Sequence, residues 1–366
     1  VEITSGQDTP ATFTLARVVD TTGWIAGDFH VHSTNSDDSP TPLRDRVTSF
    51  LGVGVEFFAA TDHDFISDYA PVIEAMGVRD RIGSMTGNEI STLTMGHFNG
   101  YPLTRDPTRG DFGALDWRGL TAGEIYDAIL GEPGAQVAQM NHPRSDSLKG
   151  HLTAIGYDPA TGTASQGVVY TNFNAIEVNL EDEVRADWFS FLNMGFNPTA
   201  MGNSDTHRTF RGGPGFPVNY LRVGRDDPLG IHADDVVEAI LTHRVIQTNG
   251  PFVELEINDR PVGSTIVDTD GAARAHVRIQ APPWMDVNTL SVFVNGALER
   301  TIAVAGSQEV VRYDGSFDIP LSRDSWVVVE VKGAGTFAPR NGGAPKALTN
   351  PIWVDTDGLG FTPPGL

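Results

Sequence analysis

The sequence contains no cysteine. Disulfides, thiolate nucleophiles, cysteine-ligated zinc and iron–sulfur clusters are therefore excluded. The compartment stays open, because a chain without thiols works in oxidising or reducing surroundings alike. Lysine is scarce: Lys149, Lys332 and Lys346 are the only three in 366 residues. Arginine supplies the other positive charge, which reads as base-composition bias in the source genome. Acidic residues outnumber basic ones 47 to 25, for a net charge of −22. Phosphate backbones are gripped by clustered Lys and Arg, so this balance argues against nucleic acid as the main partner. It also sets up a field that attracts cations. No uninterrupted apolar run approaches the roughly 20 residues of a membrane span. The opening VEITSGQDTP has neither the basic region nor the apolar core of a targeting peptide. GxSxG is absent, and RGGPGF lacks the lysine and the strand–loop–helix setting of a phosphate-binding loop.

What is present divides the chain in two. Up to about Asn249, runs of strand length (WIAGDF, VEFFAAT, RIGSMTG, AQVAQM, FNAIEVN, PTAMG) alternate with helical patterns. PLRDRVTSFLGVG places Leu43, Val47, Phe50 and Leu51 at helical spacing. TAGEIYDAIL opens with Thr121 and Glu124 in capping-box register, and HADDVVEAILTHR is an amphipathic helix. Such alternation predicts an α/β fold with mostly parallel strands. After Gly250 the texture is all β, with FVELEIN, ARAHVRIQ, LSVFVNG, EVVRYD and DSWVVVEVKG separated by turn signals. The expected organisation is a leading β strand within residues 1–23, an α/β domain over 24–249, and a sandwich-like β domain over 250–366. GAPKALTNP and FTPPGL read as extended surface loops.

The polar residues are not scattered evenly. WIAGDF runs into His30 and His32, and VEFFAAT into Asp62, His63 and Asp64. RIGSMTG precedes Asn88 and Glu89, AQVAQM precedes Asn141 and His142, and PTAMG precedes Asn203, Asp205 and His207. In a parallel α/β barrel those strand ends share one face, where active sites assemble. An HxH on a strand sends both rings to the same side, because side chains alternate with period two. Imidazole nitrogen and carboxylate oxygen together suit zinc, manganese or iron. Singly, a strand-end HxH is often surface decoration, and TDHD is more often a helix cap than a ligand set. Their joint occurrence at five strand ends outweighs that. His151, His232, His243 and His276 have no such placement and are expected to face solvent or cap helices. DTDG, at Asp268 and again at Asp355, reads as a turn rather than half a calcium loop.

Taken together, HVHSTNSDD, ATDHD, GNEI, NHP and GNSDTH resemble the PHP (polymerase and histidinol phosphatase) superfamily over residues 24–249. GHFNGYPL and TNPIWVD resemble its carbaryl-hydrolase-like branch of metallohydrolases. The resemblance implies a distorted (β/α)7 barrel and a cluster of two or three divalent ions. Its pattern carries over to His30, His32, Glu89 and Asp205 on one ion, and to Glu89, His97 and His142 on a second. Asp37, His63 and His207 would hold a third, with Asp38 standing where the family has glycine after Asp37. His97 falls in an apparent loop. Asp62, Asp64 and Asn203 would orient the ligands.

The implied chemistry is hydrolysis of a small, anionic ester by a metal-activated hydroxide. Arg144, and more weakly Arg208, would hold the substrate's anionic group. Phosphoesters follow from the superfamily, carbamate or carboxylic esters from the branch, and fold similarity cannot choose. Two rivals remain: an amidohydrolase, although no lysine sits at a strand end to bridge its metals, and a non-catalytic metal-binding scaffold. An acidic chain with an appended β module and no start methionine is compatible with a processed, exported protein, periplasmic or extracellular.

Overall fold

The computed structural model describes residues 2, 4–8, 10–12, 14, 16–146, 150–210, 212–335 and 343–366. Parts of the expected leading strand (Thr9, Phe13, Leu15), Lys149 and Arg211 lie outside the described residues. Among the described residues no strand precedes Trp24. Asp20 is instead tied to Gln280 by a pair of hydrogen bonds.

The short runs WIAGD and FFAA become strands buried on both faces, whereas GSMT is only partly buried. β1 (Trp24–Asp28), β2 (Phe57–Ala60) and β3 (Gly83–Thr86) are parallel, linked by α1 (Leu43–Val53) and α2 (Ala70–Met76). β4 (Asn88–Ser91), β5 (His97–Tyr101) and β6 (Val137–Met140) are antiparallel neighbours. Between the last two lies α3 (Ala122–Gly131), whose N-terminus carries the expected Thr121–Glu124 capping box. α4 (His151–Ile155) leads to a hairpin of β7 (Tyr157–Asp158) and β8 (Thr163–Ala164). β9 (Ala175–Glu177) and β10 (Thr199–Met201) add in parallel to β6, with α5 (Asp182–Asn193) between them. β11 (Val218–Arg222) and β12 (Val245–Thr248), separated by α6 (Ala233–Leu241), then add to β1 in antiparallel sense.

These strands do not close into one hydrogen-bonded barrel among the described residues. They fall into two open sheets, one containing β12-β11-β1-β2-β3 and the other ordered β10-β9-β6-β5-β4. The chain crosses from the first sheet to the second at Gly87. A Cβ there would lie 3.0 Å from the carbonyl oxygens of both Ala60 and Gly100, so glycine permits the crossing. The second junction is stitched by buried side-chain amides where a ladder would run. Asn219 exchanges hydrogen bonds with both backbone groups of Gly202 and reaches Gly27 O. Phe29 N donates to Asn203 Oδ1, and Ser204 N and Oγ donate to Asp28.

From Phe252 onward the described chain is all β. β13 (Phe252–Ile257), β14 (Arg260–Pro261), β16 (Ala272–Gln280) and β19 (Val311–Pro320) form a separate four-stranded sheet. β15 (Thr265–Val267), β17 (Thr289–Val294), β18 (Ala297–Ala303), β20 (Ser325–Lys332), β21 (Lys346–Thr349) and β22 (Ile352–Asp355) extend the larger sheet instead. β21 pairs with β12, so that sheet runs without a break across residues 249–251. GAPKALTNP is therefore not an extended loop: its Lys346–Thr349 segment lies between β20 and β12. The four-stranded sheet and the end of the larger one share an apolar core in which Leu255, Val277 and Ile279 join Leu290, Val329 and Val331.

Candidate metal centre

The two sheets meet where the polar strand ends emerge. One bridge joins His63 to Glu89, and another joins Val31 to Thr206. Asp64 N donates to Glu89 O and Glu89 N to Asp62 O, which fixes β4 against the end of β2. Glu89 lies on β4, in the second sheet, rather than at the end of β3. His97 is no loop residue. It opens β5 directly opposite Ser91, which brings its ring beside Glu89.

Glu89 is fully buried and forms the hub. Its carboxylate oxygens lie 3.1 Å from His30 Nε2, 3.4 Å from His32 Nε2, 2.7 Å from His63 Nδ1, 3.1 Å from His97 Nδ1 and 3.5 Å from His142 Nε2. Asp205 Oδ1 stands 3.3 Å from His30 Nε2 and 3.1 Å from His32 Nε2. His207 stacks on His32 with ring centroids 4.0 Å apart. Asp37 does not join this group. Asp38 does, with Oδ2 3.4 Å from His63 Nε2 and 3.2 Å from His207 Nε2. Within the turn after His32, it is the second aspartate that is brought to the histidines.

Arg144 departs from expectation as well. Its Nε and Nη2 donate to the buried Asp187 carboxylate at 2.7 and 2.6 Å, and Nη2 also reaches Tyr157 O. That pairing occupies the guanidinium face that was to hold substrate. Arg208 is exposed, and the hydrogen bonds its residue makes are at the backbone carbonyl.

The supporting shell contains residues with no motif signal. Glu177, the last residue of β9, is fully buried and accepts from His30 Nδ1 (2.8 Å), His142 N (2.7 Å) and Asn203 Nδ2 (3.0 Å). A lone glutamate at a strand end was the only available clue. Arg46, on α1 and completely buried, donates to the carbonyls of His32, Thr206 and Arg208, locking the two ligand-bearing segments together. Asp62 collects Ser33, Ser36 and Ser67, while Ser36 also contacts His32 Nδ1 and His63 N. Asp64 receives Trp117 Nε1 and Ser91 N. His142, Asp205 and Asp64 all have positive φ, at 25°, 48° and 47°. Backbone strain of this kind persists only where its surroundings enforce it.

Burial opposes a charge on His30, but Asp205, Glu89 and Glu177 outweigh it and hold its pKa well above the usual value. At His32 burial wins, and the pKa falls to about 4. His63 is also opposed by burial, yet Glu89 and Asp38 push it up to about 9. The carboxyls of Glu89 and Asp205 are pulled below the ordinary range by the histidines in spite of burial. The buried atoms His30 Nε2, His32 Nε2, Glu89 Oε2, His142 Nδ1 and His207 Nε2 have no hydrogen-bond partner. Orphaned buried polar atoms cost about 1–3 kcal/mol each, and a cation on their lone pairs removes that cost. Ligand atoms of four overlapping trios lie within 4.8 Å of one another: His30–His32–Glu89, His30–His142–Asp205, His63–Glu89–His97 and His32–His63–His207. The residues present fit divalent metal.

No protein-family model matches the chain, and no curated protein matches it. Among solved structures, a Bifidobacterium adolescentis protein, named provisionally as a metal-dependent phosphoesterase, aligns with a TM-score of 0.35 at 16% identity. That alignment covers 59% of this chain and 95% of the other. An engineered protein aligns with a TM-score of 0.21 at 12% identity, over 82% of this chain and 49% of its own. Likeness this distant decides nothing about activity, and neither match supports the carbaryl-hydrolase-like branch.

Proposed function

We propose that the chain is a metal-dependent hydrolase acting on ester bonds, phosphoesters foremost. The supporting observation is the convergence of buried, unpartnered imidazole nitrogens on Glu89 and Asp205. His30, His32, Glu89 and Asp205 would hold one ion, with His63, His97, His142, His207 and Asp38 completing one or two further positions. Divalent ions bound there would supply Lewis acidity and lower the pKa of a water at neutral pH.

The chain's own groups set the geometry. Glu177 accepts the Nδ1 proton of His30 and so directs the Nε2 lone pair toward Glu89. Asn141 donates to Glu89 Oε1 at 3.0 Å and to Asn99 Oδ1 at 2.8 Å, holding one carboxylate oxygen in place. Ser36, oriented by Asp62, fixes His32 on one side and the backbone of His63 on the other.

The test is an assay of the purified protein with manganese or zinc against aryl phosphates, phosphodiesters and aryl carbamates, alongside metal analysis. Turnover of the phosphate esters, abolished by chelator and restored by metal, is expected. Metal-independent turnover, or none with any of the three classes, overturns the assignment.

A further inference from the structure

We propose that the cavity walled by Lys332 and Lys346 binds a second anionic group, a carboxylate or a phosphate, of the molecule whose ester bond lies at the histidine cluster. That this molecule carries an ester bond at the histidine cluster rests on the function proposed above. The cavity has a volume of about 610 Å³ and lies between the β9–α5 turn, the segment after His207, and the facing ends of β20 and β21.

The placement of charge is the first observation. The chain has three lysines, and two of them line this one cavity. They are also register partners, with Lys332 on β20 directly opposite Lys346 on β21. Like charges directly opposite one another destabilise a strand pair, so this arrangement needs compensation. Glu330, almost fully buried beneath them, is paired closely with Arg185. Asp182 is the one acidic residue on the cavity wall. The wall thus carries two ammoniums and one carboxylate, with the Glu330 carboxylate beneath shared among Arg185 and both lysines, in a protein whose overall charge is −22.

The two lysines are not equivalent. Lys346 Nζ donates to Leu180 O at 2.6 Å and to Asp182, and lies 3.2 Å from Glu330. Its donors are occupied in holding β21 to the start of α5. Lys332 Nζ has Glu330 at 2.8 Å and Asp182 only at 3.7 Å, and its side chain is 38% exposed. Lys332 keeps N–H donors for a ligand.

The cavity wall is hydrogen-bonded to the segment that carries Asp205. Asn179, on its wall, accepts from the backbone N–H of Asn203, two residues before Asp205. Gly212 and Pro217, also on the wall, belong to the segment that follows His207. The anion-holding task expected of Arg144, which Asp187 occupies, thus has a second candidate supplied by the β-rich half.

The test uses the full chain, ¹⁵N-labelled and chelator-treated, titrated separately with inorganic phosphate and with malonate. Saturable backbone shifts are expected at Gly333 and Lys346. Affinity should fall about fivefold in Lys332→Gln, the loss of one charge-assisted hydrogen bond, and be retained in Lys332→Arg. Whichever anion binds identifies the group the cavity takes. Shifts confined to the histidine cluster, no shifts, or equal affinity in Lys332→Gln overturn the proposal. Neither metal nor turnover enters the readout, so an absence of esterase activity would leave this site standing, and its failure would leave the hydrolase assignment untouched.

Discussion

Around Glu89, the Nε2 atoms of His30 and His32 approach two carboxylates with no hydrogen-bond partner. Around Asp355, three aspartates also come close together, yet the cluster is chemically quiet. There Asp355 accepts from the backbone N–H groups of Asp357, Gly358 and Gly360. Asp324 accepts from Thr356 N, Thr356 Oγ1 and Thr362 N. By distance alone, Asp324, Asp355 and Asp357 qualify as a ligand trio just as the histidine groups do. What separates the two regions is whether the lone pairs are already used. In the aspartate cluster they close a turn, as the DTDG spacing suggested; in the histidine cluster they point at each other with nothing between them.

Breaking the hub should give the largest contrast. Glu89→Ala is expected to abolish tight metal binding and turnover while Asp355→Asn leaves both at the wild-type level, read by metal analysis and an ester assay. Glu177→Gln should weaken metal affinity by about 10–100-fold, as loss of a group that orients a ligand does, measured by competition with a chromogenic chelator. Unchanged affinity would mean that Glu177 is only a buried counter-charge.

A sharper comparison uses adjacent residues. Asp38→Asn should lower metal occupancy, whereas Asp37→Asn should not, because only Asp38 faces His63 and His207. On the quiet side, Asp324→Asn should leave metal content alone but destabilise the protein by about 1–3 kcal/mol through loss of hydrogen bonds to a charged acceptor, visible in denaturant unfolding.

A further effect lies outside both regions. Burial holds the His243 pKa down at about 4, against 6.5 for the free side chain. Between those values the unfolded chain takes up a proton that the folded chain does not. The stability contribution is therefore complete above pH 6.5 and lost as pH falls toward 4. His243→Gln should flatten the slope of stability against pH in this window by at most about 1.4 kcal/mol per unit.

How much of this was legible in the sequence depended on whether the signal was local. The HxH at the end of β1 was readable because strand periodicity puts both rings on one side. The Thr121 capping box and the α1 and α6 stripes were equally local. Of the four histidines set aside, His232 caps α6 and His276 is half-buried beside Asp314, but His151 is buried and donates from Nδ1 to Met95 O. His243 likewise meets Thr199 and Trp353 rather than open solvent. Glu177 and Arg46 went unseen because a single charged residue in a strand or helix announces nothing until its partners are known, and these include His30, 147 positions from Glu177, and Thr206, 160 positions from Arg46. Asp37 and Asp38 could not be told apart without the turn that carries them. The open junctions between sheets were hidden because asparagine side chains replacing a ladder leave no periodic trace. Strand pairing across residues 249–251 was hidden for a related reason: partner choice between β12 and β21 is non-local.

The most direct measurement is a calorimetric titration of chelator-treated protein with zinc or manganese, repeated on Glu89→Ala and on an Asp324, Asp355 and Asp357 triple asparagine variant. At least two ions should bind the wild type and the triple variant alike, with protons released as the charged histidines give up their N–H, and tight binding should vanish in Glu89→Ala. Equal binding by Glu89→Ala, or loss of binding only in the triple variant, would contradict the account.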